Sequence, residues 1–512
     1  MDSLDQKTPS YMVYCVIVAC LQSFANGYVI GSPNVPGEAT HNCPTGNAHI
    51  FNKSFPDCLP MSPSLWGFAV SSFCVGGLVG SMVGGPMQVK LGRKKSIILN
   101  TVGFIVGGAL ISVSVNTAMF IVGRLLSGVS CGLGSLVVPT YIGEVSTVRS
   151  RGMMGTCNQF GIVIGILLAS VIGLPLATVP LWRVNYAIAA VPGIAQFFLM
   201  STCVDSPRWL VSKNRIDEAR HALQRLRGNA NIDREFYEIV EGQVGTAAAT
   251  SMLKNPDSER TGDLKEKSKD AAELSGDEDD EDGHRAEDAM VAPDVSARES
   301  MSIKEIFTDS VMQRIAMTVI CLHMIQQLIG INAVMYYSAT IFASMFDARM
   351  SQYMAIVTTI VNFLMTIVSL FAMDRMGRRP LLMIAEVGAC IFSVLLIIGY
   401  RFNIGALLVV SVFGYVASFA IGVGPIPWLI TSEIAPVYAS SAIGAIATTM
   451  NWTMNFVIGQ IFPIIFAKIK GYSFAIFATV AAFAFVFTYF CLPETKNRSI
   501  ENIVRGYEKF RK

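Results

Sequence analysis

The sequence predicts an all-α membrane protein: twelve membrane-spanning helices in two six-helix halves, joined by a cytoplasmic linker of short helices and a disordered acidic stretch. Three observations predict it. Of 512 residues, 52% are hydrophobic and only 15% charged, with a mean hydropathy of +0.50, whereas soluble domains carry about 25% charged residues. Apolar runs of roughly 20 residues, each long enough to cross a hydrocarbon core, occur twelve times. Three pairs of short motifs also recur in the same order in the two halves.

The runs lie near 11–32, 64–86, 96–115, 118–141, 154–174, 183–204, 312–343, 350–373, 381–401, 404–432, 441–467 and 472–491. With both chain ends cytoplasmic, the inside loops hold Lys90, Arg93, Lys94, Lys95, Arg149, Arg151, Arg375, Arg378, Arg379, Lys496 and Arg498. The opposite loops carry chiefly Lys53, Arg349, Arg401, Lys468 and Lys470. This asymmetry orients the chain, because cytoplasmic loops retain Lys and Arg. The net charge of +2 is segregated by topology, so it forms no basic face for nucleic acid. The first ten residues, MDSLDQKTPS, carry acids and no cleavage pattern, and the first run is expected to remain as the first span.

The repeats turn twelve helices into two sets of six. KLGRKKS (Lys90 to Ser96) follows the second run and DRMGRRP (Asp374 to Pro380) the eighth. The fourth run ends in PTYIGEVSTVRSRG with Glu144, the tenth in PWLITSEIAP with Glu433. DSPR follows the sixth run and PETK the twelfth. Parallel repeats of this kind build transporters. The halves are expected at 1–204 and 311–491, with a linker at 205–310 and a cytoplasmic tail at 492–512. The early linker, RIDEARHALQRLRG, has amphipathic helical spacing. The later SGDEDDEDGHRAED has almost nothing to bury, which is the signature of disorder; it reads as a solvated linker, with a partner-binding or phosphorylated segment as the alternative.

Most of the 11 cysteines sit inside apolar runs, as small core residues. Cys43 and Cys58 do not. Both fall in the polar segment between the first two runs, on the outer side, where a bridge is possible. The same segment holds the glycosylation acceptor NKS at Asn52.

The stretch QQLIGINAVMYYS, Gln326 to Ser338, carries three amides and two tyrosines in an apolar run. On a regular helix Gln326, Gln327, Asn332, Tyr336 and Tyr337 point to about 0°, 100°, 240°, 280° and 20°. They cannot share one cavity unless the helix breaks near Gly330, and unwound backbone at membrane depth is tolerated only where it is buried or lines a watery cavity. Asn26, Gln159, Asn362, Trp428, Asn451, Trp452 and Asn455 lie in other runs. Neutral amides both donate and accept, which suits a ligand rich in hydroxyls; an anion would need Arg or Lys, and a metal carboxylates or imidazoles. The bland reading is that these amides merely join helices.

Together these residues resemble the sugar porter branch of the major facilitator superfamily, and within it the facilitative glucose transporters. LGRKK, GRLLSG, IGEVSTVRSRG, DSPR, QQLIGIN, DRMGRR, GPIPW, NWTMN and PETK carry the resemblance, which covers nearly the whole chain except the acidic linker. It implies the major facilitator fold and transport of hexose, most of all D-glucose, by alternating access in the plasma membrane, with no cofactor. At matching positions Gln159, Gln326, Gln327, Asn332, Asn362 and Asn455 are implied to hydrogen-bond the sugar, with Trp428 at the site and Asn451 and Trp452 lining its cavity. Asn26 stands where proton-coupled relatives typically have an aspartate, which implies uniport. Arg93, Glu144, Arg151, Asp374, Arg378 and Glu433 resemble a cytoplasmic charge network that latches the outward-open state, its pairs existing in one state only.

Four departures from the family pattern matter. Ser440 replaces a latch arginine, and Ala420 a glutamate. VDSPR stands for PESPR. His323-Met324-Ile325 replaces the Gln-Leu-Ser of strict glucose carriers, which leaves fructose open. Glu386 lies near the cytoplasmic end of the ninth run, where it is expected to reach the interface. A proton–hexose symporter and a non-transporting sugar sensor remain as alternatives. An enzyme does not: the sequence has no GxxxxGK[ST] loop, no HExxH and no nucleophile–base–orienter set.

Overall fold

In hydrocarbon every backbone N–H must find its partner within the chain, and the fold is helical throughout its described residues. The computed structural model describes residues 9–43, 48–50, 52, 55–147, 150–244, 301–496, 503–504 and 506–507. Of 151, 152, 242–244, 374, 432, 437, 438 and 441 it describes the backbone alone.

Spans 1 to 5 are Ser10–Gly31, Pro63–Leu91, Arg93–Ser112, Thr117–Val145 and Arg151–Gly173. Span 6 comprises Trp182–Ile188 and Val191–Ser201, span 7 Ser310–Leu328 and Ile331–Phe342. Spans 8 and 9 are Ala348–Met376 and Arg378–Arg401. Span 10 runs from Gly405–Ser418 through a π-turn at Phe419–Val423 to Ile426–Ile434. The last long apolar stretch, Ala442–Cys491, contains two helices, Val437–Ile469 (span 11) and Phe474–Cys491 (span 12), joined by a 3-10 turn at Lys470–Ser473. The protein is thus a multi-pass integral membrane protein with twelve spans.

The break in span 7 falls where the sequence expects it. Gly330 has φ +100°, and a Cβ there would lie 2.5 Å from the Phe477 ring, so only glycine fits both conformation and space. Span 10, read from sequence as one uninterrupted run at 404–432, is also broken. Pro425 and Pro427 lack the N–H donors that a continuous helix needs, and the π-turn absorbs the mismatch.

The motif repeats have a structural cause. Gly92 and Gly377, at φ +88° and +93°, separate spans 2 and 3 and spans 8 and 9. Each opens the next span with bare N–H groups, met by an acid from the end of the same half. Asp205 Oδ1 accepts from the amides of Arg93, Lys94 and Ser206 at 3.1, 3.2 and 2.9 Å. Glu494 uses both oxygens, accepting from Arg378, Thr495 and Lys496 on Oε1 and from Arg379 on Oε2. Burial pushes the Asp205 carboxyl up despite those amides. At Glu494 burial also acts upward, but the four amides outweigh it and hold the carboxyl below its usual range.

Beyond span 6, Pro207–Ser212, Ile216–Arg227 and Asp233–Val244 form the expected short helices. Ile216–Arg227 turns Ala219, Ala222, Leu223 and Leu226 inward, and Arg227 donates to Val145 O at the end of span 4 (2.9 Å) while pairing with Glu235 (2.6 Å). The acidic stretch lies outside the described residues.

Cys43 and Cys58 are bridged, and Asn52 is exposed beside them. This end is called the disulfide end, and the one bearing the basic motifs the basic end. Glu386 does not reach an interface, contrary to expectation. It is fully buried and accepts a 2.7 Å hydrogen bond from Thr488 on span 12; about two turns of helix separate it from Arg378 at the basic end, and span 12 covers it.

The halves meet through spans 2 and 11, 5 and 8, and 1 and 7. Gln460 donates to Ser64 O, Phe68 contacts Phe456, and Phe73 contacts Trp452, all toward the disulfide end or mid-depth. None of these named contacts is at the basic end. There a Cβ built on Gly143 (span 4) or Gly155 (span 5) would meet nothing within 4 Å. The named contacts between the halves thus lie toward the disulfide end and at mid-depth.

Candidate functional site at the break in span 7

The break lets both pieces of span 7 face one place. Four side-chain amides run head to tail there. Asn332 Nδ2 donates to Gln327 Oε1; Gln327 Nε2 donates to Asn451 Oδ1 at 3.0 Å. Asn451 Nδ2 then donates to Gln326 Oε1 at 2.7 Å, and Gln326 Nε2 to Gly424 O at 2.5 Å. This chain stitches the two pieces of span 7 to span 11 and to the broken part of span 10. All four amides are buried, so each must be paired, and here they pair with one another. Gln326 and Asn451 have both N–H groups engaged, to Val423 O and Gly424 O and to His323 O and Gln326 Oε1, while Gln327 and Asn332 each give one N–H to the chain and have a second to offer a polyhydroxylated ligand.

Aromatic and hydroxyl groups complete the wall. Tyr336 donates to Asn455 Oδ1 at 2.7 Å and Tyr337 to Gly459 O at 2.9 Å. Trp452 is buried, its indole N–H without a partner among the described residues. Trp428, 38% exposed, meets the His323 ring edge-on at 4.6 Å. His323 is buried and its Nε2 lies 3.0 Å from Thr431 Oγ1, so it is a packed residue tying span 7 to span 10.

The other expected residues are more dispersed. Asn362 is buried on span 8 and Gln159 half-buried on span 5, neither in the amide chain. On span 5, Gly161 and Gly165 abut span 1 and Phe160 abuts Phe363 of span 8; Gln159 points between these directions, on the same side as the open space at Gly155. Asn26 is buried on span 1 with its side-chain oxygen unpartnered among the described residues.

In the charge network, Arg93 pairs with Glu144 at 2.8 Å and Arg378 with Glu433 at 2.7 Å. Each pair lies within one half, and both are formed. Arg93–Glu144 ties span 3 to span 4 and Arg378–Glu433 ties span 9 to span 10. The side chains of Arg151 and Asp374 lie outside the described residues.

The family model described as "Sugar (and other) transporter" matches residues 15–254 and 244–507. The chain belongs to this family of transporters. It is similar to the mouse solute carrier family 2 facilitated glucose transporter member 3, at 34% identity across 98% of this chain and 93% of that protein. Mouse member 4 is 31% identical across 98% and 92%. Among solved structures, the partially occluded inward-open xylose transporter XylE from E. coli aligns with a TM-score of 0.70 at 23% identity, over 96% of this chain and 100% of that one. XylE bound to 6-bromo-6-deoxy-D-glucose, a major facilitator superfamily proton:xylose symporter, also gives 0.70 at 23% identity, over 98% and 100%. These structures share the fold.

Within the sugar transporter fold, sequence reasoning missed three groups. Gln22, one turn before Asn26, is buried with both polar atoms unpartnered among the described residues. Arg124 on span 4 is fully buried, donating at 2.8 Å to Val29 O and Val70 O beneath the Phe73 ring. Its GRLLSG motif was read as family marking alone. Asn34, beyond span 1, reaches across to span 7, and nothing in its neighbourhood in the sequence signals that contact.

Proposed function

We propose that this sugar transporter family member is a facilitative hexose carrier, with D-glucose as its principal substrate. The observation that carries the reading is the amide chain Asn332–Gln327–Asn451–Gln326: four neutral donor–acceptor groups, buried and convergent at a helix break. A hexose offers hydroxyls that replace those mutual hydrogen bonds one for one, while Trp452, Trp428 and Tyr336 suit the apolar faces of its ring. Gln159, Asn362 and Asn455 add contacts from spans 5, 8 and 11. The names of the mammalian relatives support glucose over pentose.

Uniport is favoured over proton coupling by Asn26, which cannot take up a proton. Transport follows by rocking of the halves, 1–204 and 311–491, about the site. Sugar enters from the disulfide side, the second piece of span 7 and the broken span 10 close over it, and separation of the basic ends releases it. Both termini are cytoplasmic, the disulfide segment with the Asn52 acceptor is extracellular, and the membrane is the plasma membrane.

Counterflow tests carriage directly. Liposomes holding the purified protein and preloaded with unlabelled D-glucose should transiently accumulate external labelled D-glucose, and L-glucose preloading should not support this. Sugar binding with no counterflow would replace the carrier with a sensor.

A further inference from the structure

Span 7 is irregular a second time, beyond its break at Gly330. Tyr337 has φ −132° and ψ 16°, outside the helical region, so the helical ladder of Ile331–Phe342 is interrupted there. One turn's worth of backbone after it needs help. It comes from the other half: Asn34 Oδ1 accepts the backbone N–H of Ala339 at 3.2 Å, and Asn34 Nδ2 donates to Ser338 Oγ at 2.8 Å. Asn34 and Ser338 are both buried. The carboxamide stands in for a peptide group, offering one acceptor and one donor to consecutive residues at the interruption.

Asn34 is itself fixed to the first half. Its own N–H bonds Gly31 O at 3.2 Å. Asn185 of span 6 donates to Ser32 O at 3.0 Å and accepts from Tyr28 at 3.0 Å. The turn carrying Asn34 therefore moves with spans 1 and 6, and its two bonds to span 7 join the halves at the disulfide end. Beside them Val35, Ala339 and Ala355 form a small buried apolar cluster.

We infer that Asn34 is a positioning residue that holds the disulfide end closed by completing the interrupted helix of span 7, and so sets Asn332 and Tyr336 over the central site. When the halves separate at that end both bonds break together. The Ala339 N–H must then find another partner, so opening the disulfide end is coupled to a change in the second piece of span 7. The inference rests on the alternating-access reading proposed above.

The test places a cysteine at Ser71, which is buried against Gly459 at the interface of spans 2 and 11, and measures its labelling by a membrane-impermeant thiol reagent applied from the disulfide side. Adding Asn34→Leu should raise the labelling rate about threefold or more, Ser338→Ala should raise it less, and Asn34→Asp, which keeps the acceptor for Ala339, should fall between. Surface amount and detergent stability identify a variant that has merely misfolded; Ser338→Ala then carries the test alone, and its unchanged labelling overturns the inference. Unchanged labelling in a folded Asn34→Leu also overturns it. Labelling needs no sugar, so a rise in a protein that fails glucose counterflow would sink the substrate reading and leave the role of Asn34 standing.

Discussion

Asn451, on span 11, gives its side-chain N–H to the carboxamide oxygen of Gln326, on span 7, at 2.7 Å, while Gln326 gives its own to Gly424 of span 10 at 2.5 Å. One side chain thus ties three spans together. Replacing Gln326 by Leu strands the Asn451 donor and removes two groups from the sugar's reach. An unsatisfied buried donor costs about 1–3 kcal/mol, so D-glucose uptake by Gln326→Leu should fall by about tenfold or more at unchanged surface amount. Normal uptake by that variant would remove Gln326 from the site.

The two end-of-half acids separate by chemistry. Asp205 accepts all three amides on Oδ1, so Asp205→Asn keeps its acceptor and loses a buried charge. Glu494 uses both oxygens, and Glu494→Gln sets an NH2 group against the Arg379 N–H. Thermal unfolding in detergent should show Asp205→Asn near the parent and Glu494→Gln less stable by about 1 kcal/mol.

Their pH dependences should have opposite sign. The Glu494 carboxyl is lowered in the folded state, so its contribution is present above its unfolded value and lost as pH falls through the folded one. The Asp205 carboxyl is raised, so its contribution is present below its unfolded value and lost as pH rises through the folded one. Unfolding temperatures across the acid range, compared between the two neutral variants and the parent, should diverge in opposite directions; parallel curves would contradict burial outweighing the amides at Asp205 and the amides outweighing burial at Glu494.

Glu386 is a buried acid off the sugar path. Thr488 donates to one of its oxygens and the other has no partner among the described residues. Glu386→Met, which keeps volume and lets Thr488 bond back to its own helix, should retain transport and its pH dependence. Loss of transport in a well-expressed Glu386→Met would assign that carboxyl a part in the cycle.

The Cys43–Cys58 bridge closes a loop that is also held by Trp182, which donates to Asp57 O at 2.8 Å, and by Arg183, which donates to Pro56 O at 2.7 Å. A bridge over a loop of this size contributes up to about 3 kcal/mol in the chain-entropy picture. Cys58→Ser should therefore lower the unfolding temperature and leave the sugar affinity of the folded carrier unchanged, measured side by side by thermal unfolding and uptake.

Much of this was legible in the sequence because its signals are local. Apolar length marks spans, and the five polar residues of span 7 point in incompatible directions unless Gly330 breaks the helix. Span 10 was misread because its Pro425 and Pro427 lie in a run whose hydropathy never drops. The reach of Asn34 to Ser338 and the covering of Glu386 by Thr488 depend on helices far apart in the chain, which periodicity cannot report. The charged residues were legible, but that Arg93 pairs with Glu144 and Arg378 with Glu433 depends on how helices 51 and 55 residues apart in the chain pack.

The most direct measurement is initial entry of labelled D-glucose into sealed liposomes carrying the purified protein, with and without an imposed pH gradient and with L-glucose as the leak control. Saturable, stereospecific entry that ignores the gradient is the predicted result. Accumulation driven by the gradient would contradict the uniport reading of Asn26, and absence of specific entry would contradict the carrier itself.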